Sequence, residues 1–183
     1  YGPAFLLLVV STVAGLVSIT TDSLSITRLI DLEGWESWIL LVNHLAATAL
    51  LGSGMLAMVF GHWYLVVPKL SIVPLRLLTR VYLVAVVFRF VAILVSLVVL
   101  QVVREEVTLM NVASELLVTQ GLFFWPRIFF GIVIPLVLGF MTWSTVKVHH
   151  TQAATGLLYL VVVTLLFGEF FSKFLLFSTS LPL

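Results

Sequence analysis

The stretch Pro74–Val103, PLRLLTRVYLVAVVFRFVAILVSLVVLQVV, decides how the rest of the chain is read. From Val81 to Val103 its single charged residue is Arg89. Apolar side chains occur around the whole circumference of such a helix, so none of its faces suits water. A hydrocarbon core of about 30 Å needs about 20 apolar helical residues, which this stretch supplies. Outward from it, Pro3–Thr20, Trp38–Val67, Gln120–Val146 and Gln152–Ser178 have the same character. The sequence therefore predicts an all-α integral membrane protein, one bundle of five transmembrane helices over residues 1–183 without a separate soluble domain. The alternating pattern of a membrane β-barrel strand is missing.

Composition agrees with this reading. Hydrophobic residues make up 62% of the chain and charged ones 9%, with a mean hydropathy of +1.25. Soluble domains carry roughly 45–50% apolar and about 25% charged residues, so a water-soluble monomer is excluded. Nine Lys and Arg stand against eight Asp and Glu, a net charge of +1. Nothing in that balance would hold a phosphate backbone, and nucleic acid is not an expected partner. With no cysteine, the chain has no disulfide, no thiolate-held iron–sulfur or zinc site, no thiol nucleophile and no covalent c-type haem. The first residue is Tyr1 rather than Met, so at least one residue is expected to have preceded it; no stretch has the pattern of a cleavable signal.

Two connections exceed a tight turn. In Thr21–Ser37, Leu24, Ile26, Leu29, Ile30 and Leu32 alternate with Asp22, Arg28, Asp31 and Glu33, which suits a short helix lying at the membrane interface. Arg104–Thr119 has similar character, whereas Lys69–Val73 and Lys147–Thr151 are tight. One side of the membrane would carry Lys69, Arg76, Arg80 and Lys147 without an acid; the other would carry Arg28 and Arg104 with seven acids, among them Asp22, Glu36 and Glu115. By the positive-inside rule the first side is cytoplasmic, which puts the N-terminus inside and, after five crossings, the C-terminus outside. Trp63 and Trp143 then fall at inner span ends, and Trp35, Trp38 and Trp125 at outer ends.

Ala47, Gly54 and Gly61 recur every seven residues on the second span and would admit a close neighbouring helix. On the fourth span Pro135 cannot donate to the Gly131 carbonyl and should kink the helix. Ordinary bundle packing accounts for both; a kink lining a ligand pocket is the alternative.

Ionisable groups inside spans carry the functional information, because each is costly there unless it meets a partner or a cavity. At about 1.5 Å per residue, His44 lies about 12 Å to the outer side of its span centre, Arg127 about 9 Å, Glu169 about 6 Å and Lys173 about 12 Å. Glu169 and Lys173 are four apart and could pair on one helix face. The functional reading is an outward-facing polar pocket that exchanges protons or binds a quinol head group, with His44 and Glu169 as acid and base and Arg127 setting the field. The alternative is an ion pair joining helices, with His44 and Lys173 extending to the headgroups. Arg89 sits near the midplane of its span and is expected to meet Glu169, a backbone carbonyl or a cofactor carboxylate.

His62, within Gly61-His62-Trp63-Tyr64, shares the cytoplasmic level with His149 and His150. Equal depth on separate helices suits ligation of a haem b or another tetrapyrrole, His62 as first metal ligand and His149 or His150 as second. Hydrogen bonding to headgroups is the alternative. The chain has no G-x-x-x-x-G-K-[ST], H-E-x-x-H or G-x-S-x-G motif, so it lacks the apparatus of nucleotide-driven transport, zinc proteolysis and serine hydrolysis.

The segments Trp125-Pro126-Arg127, Phe130-Gly131, Pro135-Leu136, Thr155-Gly156-Leu157-Leu158-Tyr159 and Gly168-Glu169 resemble the membrane-anchor subunits of bacterial respiratory molybdenum enzymes, of the polysulfide-reductase and dimethyl-sulfoxide-reductase type. The resemblance implies a quinone-interacting subunit of a bacterial inner membrane, its C-terminus on the periplasmic side, that docks catalytic or electron-transfer partners, with Glu169 and Arg127 as pocket residues. The expected function is thus a non-catalytic membrane subunit of a respiratory or photosynthetic electron-transfer oxidoreductase complex, bound to other membrane subunits and lipid. A structural or assembly subunit without cofactor, or part of an oligomeric channel or transporter, are the alternatives.

Overall fold

The structure, a computed structural model, describes residues 2–29, 34–67, 71–103, 118 and 121–179. Its elements are helices: α1 (Gly2–Leu29), α2 (Gly34–Val66), α3 (Val73–Val103), α4 (Gly121–Ile128), a π-helical turn (Phe129–Val133), α5 (Ile134–Lys147) and α6 (Thr151–Thr179). Among the described residues, four segments are long and apolar enough to cross a membrane: Ser37–Val66, Val73–Val99, Gly121–Lys147 and Thr151–Ser178. The side chains they turn outward are apolar; Val84 is 69% and Phe170 63% exposed, a surface suited to lipid and not to water.

These four segments close a ring in which α2 packs on α3 and α6, and α5 packs on α3 and α6. Leu50, Tyr82, Ala85, Val86, Val161 and Leu165 fill one layer of its interior. A second layer, toward the α2–α3 turn, holds Ala57, Tyr64, Leu75, Val146, Ala154 and Leu158. α1 lies outside the ring against α2, seated by Ile26 on Leu40 and Leu176.

Small residues set the close approaches. A side chain at Gly61 would meet Thr155 and Leu158, and one at Gly54 would meet Leu165 and Val161. The tightest crossing lies elsewhere: a Cβ on Gly168 would strike the backbone of Gly131, where the π turn meets α6. Gly139 makes room for the Tyr82 ring, whose hydroxyl donates to the Pro135 carbonyl at 2.6 Å.

Two local expectations are corrected. Thr21–Leu29 is not a separate interfacial helix but the last turns of α1. The stretch holds no Gly or Pro to break it, and its hydroxyls are satisfied within the helix: Thr21 donates to Val17, Ser23 to Ile19, Ser25 to Thr21 and Thr27 to Ser23. The fourth span does not simply kink at Pro135. It widens into the π turn, with the Ile134 amide donating to the Phe129 carbonyl, so the missing proline N–H falls where the helix has already relaxed. The Arg104–Thr119 connection, apart from Val118, and residues 68–70 of the α2–α3 turn lie outside the described residues.

Candidate functional site

Consecutive residues on a helix point about 100° apart, and α2 uses this to serve two neighbours. Asn43 turns to α3, where its amide donates to Ser96 at 2.6 Å. His44 turns to α1 and α6. Arg89, one of the two largest fully buried side chains, reaches across from α3. Its Nη1 donates to the Asn43 carbonyl at 2.7 Å and to Asn43 Oδ1 at 2.9 Å. Its Nη2 contacts Ser172 Oγ and Glu169 Oε1, each at 3.4 Å. The midplane arginine thus meets both a backbone carbonyl and Glu169.

Glu169, Ser172 and Lys173 share one face of α6 by their i, i+3, i+4 spacing, yet Glu169 and Lys173 do not pair with each other. Glu169 turns inward to Arg89. Lys173 turns outward, with Nζ 2.6 Å from His44 Nε2 and 3.8 Å from Asp22 Oδ2 on α1. An ammonium can only donate, so His44 accepts at Nε2 and carries its proton on Nδ1. That proton is donated to Ser23 Oγ at 2.7 Å, and Ser23 in turn donates to the Ile19 carbonyl at 2.8 Å. Both ring nitrogens of His44 are occupied, so the imidazole bridges Lys173 on α6 to Ser23 on α1.

Arg127 enters from α4. Its guanidinium lies over Gly131, where any side chain would overlap it, and its Nη2 is 3.9 Å from Glu169 Oε1. That is beyond hydrogen-bond reach, and its Nε, Nη1 and Nη2 are buried without a hydrogen-bond partner. Two guanidinium groups therefore share one carboxylate oxygen. Glu169 is one-fifth exposed, and neither of these ion pairs engages its other oxygen, Oε2.

Two spaces adjoin this cluster. An inner one of about 10 Å³, beside Asn43, Arg89 and Ser172, has room for about one water. The other is an open cleft of about 210 Å³ between α1, α2 and α6. Its lining is mixed, with Ile19, Ala47 and Leu51 apolar and Asp22, His44, Thr48, Glu169 and Lys173 polar.

The histidines at the other end are separate from this site. His62 Nδ1 and Tyr159 Oη are 2.9 Å apart. His149 and His150 lie in the turn between α5 and α6, His149 with a left-handed φ of 63°. Among the described residues no group of three or more His, Cys, Asp or Glu side chains could hold a metal. Sequence reasoning singled out Arg89, Arg127, Glu169, His44 and Lys173 but passed over Asn43, Ser96, Ser172, Ser23 and Asp22. The available signal was a buried Asn and Ser one or two turns from a charge in an otherwise apolar span. No family model, curated protein or solved structure matches the chain.

Proposed function

We propose that the chain is a membrane subunit of a bacterial inner-membrane electron-transfer complex and that it binds a quinol head group in the cleft between α1, α2 and α6. In this reading α1 is the fifth span, the N-terminus is cytoplasmic, and partner membrane subunits cover part of the apolar exterior. The observation that carries it is the mixed lining of the cleft: Ile19, Ala47 and Leu51 for a lipid-soluble ring, and Glu169, Lys173 and Asp22 for its oxygens. Quinol oxidation releases two protons and two electrons. Glu169 Oε2 and Asp22, the carboxylates of the cleft, take the protons, and a redox centre in a partner subunit takes the electrons. Arg89 keeps Glu169 in place while its charge changes.

The test is photolabelling of the purified chain in nanodiscs with an azido-quinone. Label is expected on the α2 and α6 peptides bearing His44 and Lys173, with displacement by unlabelled quinone. Labelling elsewhere, or without competition, overturns the proposal. A second reading, a tetrapyrrole on His62, is favoured by one detail. Tyr159 engages Nδ1 and leaves Nε2 available, as the hydrogen-bond partners of metal-bound histidines do.

A further inference from the structure

At the end of the bundle opposite the cleft, two cations converge on one ring. The Arg80 guanidinium carbon, from α3, is 4.8 Å from the centroid of Trp143 on α5. The Lys147 ammonium, one turn beyond Trp143, is 5.0 Å from the same centroid. Their charges are therefore no more than 9.8 Å apart. Arg76, one turn before Arg80, has a buried Nε without a hydrogen-bond partner. None of these three cations has an ion-pair partner among the described residues, whose carboxylate contacts all lie around Glu169 and Asp22. Like charges held this close repel, and the ring's quadrupole answers only part of that. The group that completes the arrangement is an anion.

Its class follows from location. Arg76 and Arg80 lie in the first two turns of α3, and Trp143 and Lys147 in the last two of α5. Tryptophan with Lys and Arg at the end of a membrane span belongs to the headgroup level, where the abundant anion is a lipid phosphate diester. We propose that Arg80, Lys147 and Trp143, with Arg76 beneath, form a binding site for the phosphate of an anionic phospholipid. The two cations take the phosphate oxygens, and the Trp143 ring holds both side chains close beside it. The site is independent of the quinol cleft.

Native mass spectrometry of the full chain, released from micelles containing equal amounts of phosphatidylglycerol, cardiolipin and phosphatidylethanolamine, tests this. The anionic lipids should be retained over phosphatidylethanolamine, whose ammonium offsets its phosphate charge, by roughly tenfold or more, as two cations acting on a headgroup of net negative charge imply. Arg80→Gln with Lys147→Gln should abolish the preference, and Arg28→Gln, an exposed cation on α1, should leave it unchanged. Trp143→Leu keeps every charge but removes the ring that gathers them, so it should weaken retention several-fold. Equal retention of all three lipids overturns the proposal, as does a preference that survives in the double variant. A preference unchanged in Trp143→Leu reduces it to net charge and overturns the site. Inorganic phosphate competing at millimolar levels would identify a free-anion site instead and overturn the lipid assignment.

Discussion

Glu169 holds two guanidinium groups on one oxygen, and the unequal distances set an order of importance that mutation can read. At an effective dielectric of about 20, the 3.4 Å contact with Arg89 corresponds to an attraction of about 5 kcal/mol and the 3.9 Å contact with Arg127 to about 4 kcal/mol. Because both Nη2 atoms face the same oxygen, they lie within 7.3 Å of each other. Their mutual repulsion is then at least about 2 kcal/mol. Glu169→Gln removes both attractions and leaves the repulsion, so a loss of about 3–5 kcal/mol is expected, as for one partner deleted from a buried pair. Arg89→Gln relieves the repulsion but loses the closer contact and the bonds to Asn43, an expected loss of about 2–4 kcal/mol. Arg127→Gln loses the weaker contact, relieves the same repulsion and removes a buried charge with no hydrogen bonds. It should fall within about 1 kcal/mol of wild type.

Equilibrium unfolding in mixed micelles, followed by far-UV circular dichroism and tryptophan fluorescence, measures all three variants. A double-mutant cycle supplies the pairwise terms. The Arg89–Glu169 coupling should be about 2–3 kcal/mol and exceed that of Arg127–Glu169. Additive effects of Arg89→Gln and Glu169→Gln would refute the reasoning. So would an Arg127→Gln variant as unstable as Arg89→Gln, since the side chain with no hydrogen bonds would then hold the cluster.

Gly168→Ala should destabilise the fold by about 1–3 kcal/mol in the same assay through collision with Gly131; Gly52→Ala, which meets nothing within 4 Å, should stabilise it by up to about 1 kcal/mol. Tyr82→Phe removes a buried hydrogen bond to the Pro135 carbonyl and should cost about 1 kcal/mol, with hydrogen exchange near the π turn rising in step. In the cysteine-free chain, Ser114→Cys should react with an impermeant maleimide in intact cells and Ser71→Cys should not; the opposite result inverts the topology. Haem b added to the chain should give a Soret band that His62→Leu lacks, and no band with the wild-type chain removes the tetrapyrrole reading.

Depth along the membrane normal is legible in this sequence, because helical rise converts residue number into height. Arg89 near its span centre and Glu169 about 6 Å outward of its own differ in height by less than an arginine side chain reaches, and they meet. Direction around each helix is less legible, because it depends on which neighbours the ring supplies. Glu169 and Lys173 could pair by spacing alone, but α3 stands on one side of them and α1 on the other, so their side chains diverge. Asn43 and Ser172 gave little signal for a related reason. An uncharged polar residue within an apolar span is ordinary until a guanidinium is known to face it.

Arg127 shows how a local backbone feature sets direction. On an unbroken α-helix at about 100° per residue, it would point about 120° away from Gly139, twelve positions later. The π turn takes up one extra residue and reduces that angle to about 20°. Arg127 thereby falls in line with Pro135 and Gly139, the buried face of α5. Pro135 supplies the cause, since its ring and missing N–H disfavour a regular α-helical bond to Gly131, and the wider turn satisfies Ile134 from Phe129 instead. Gly131 and Gly168 then let the widened backbone touch α6 without a side chain intervening. A proline eight positions from Arg127 thus determines that a second guanidinium faces Glu169 rather than lipid, and with it the excess positive charge inside the bundle.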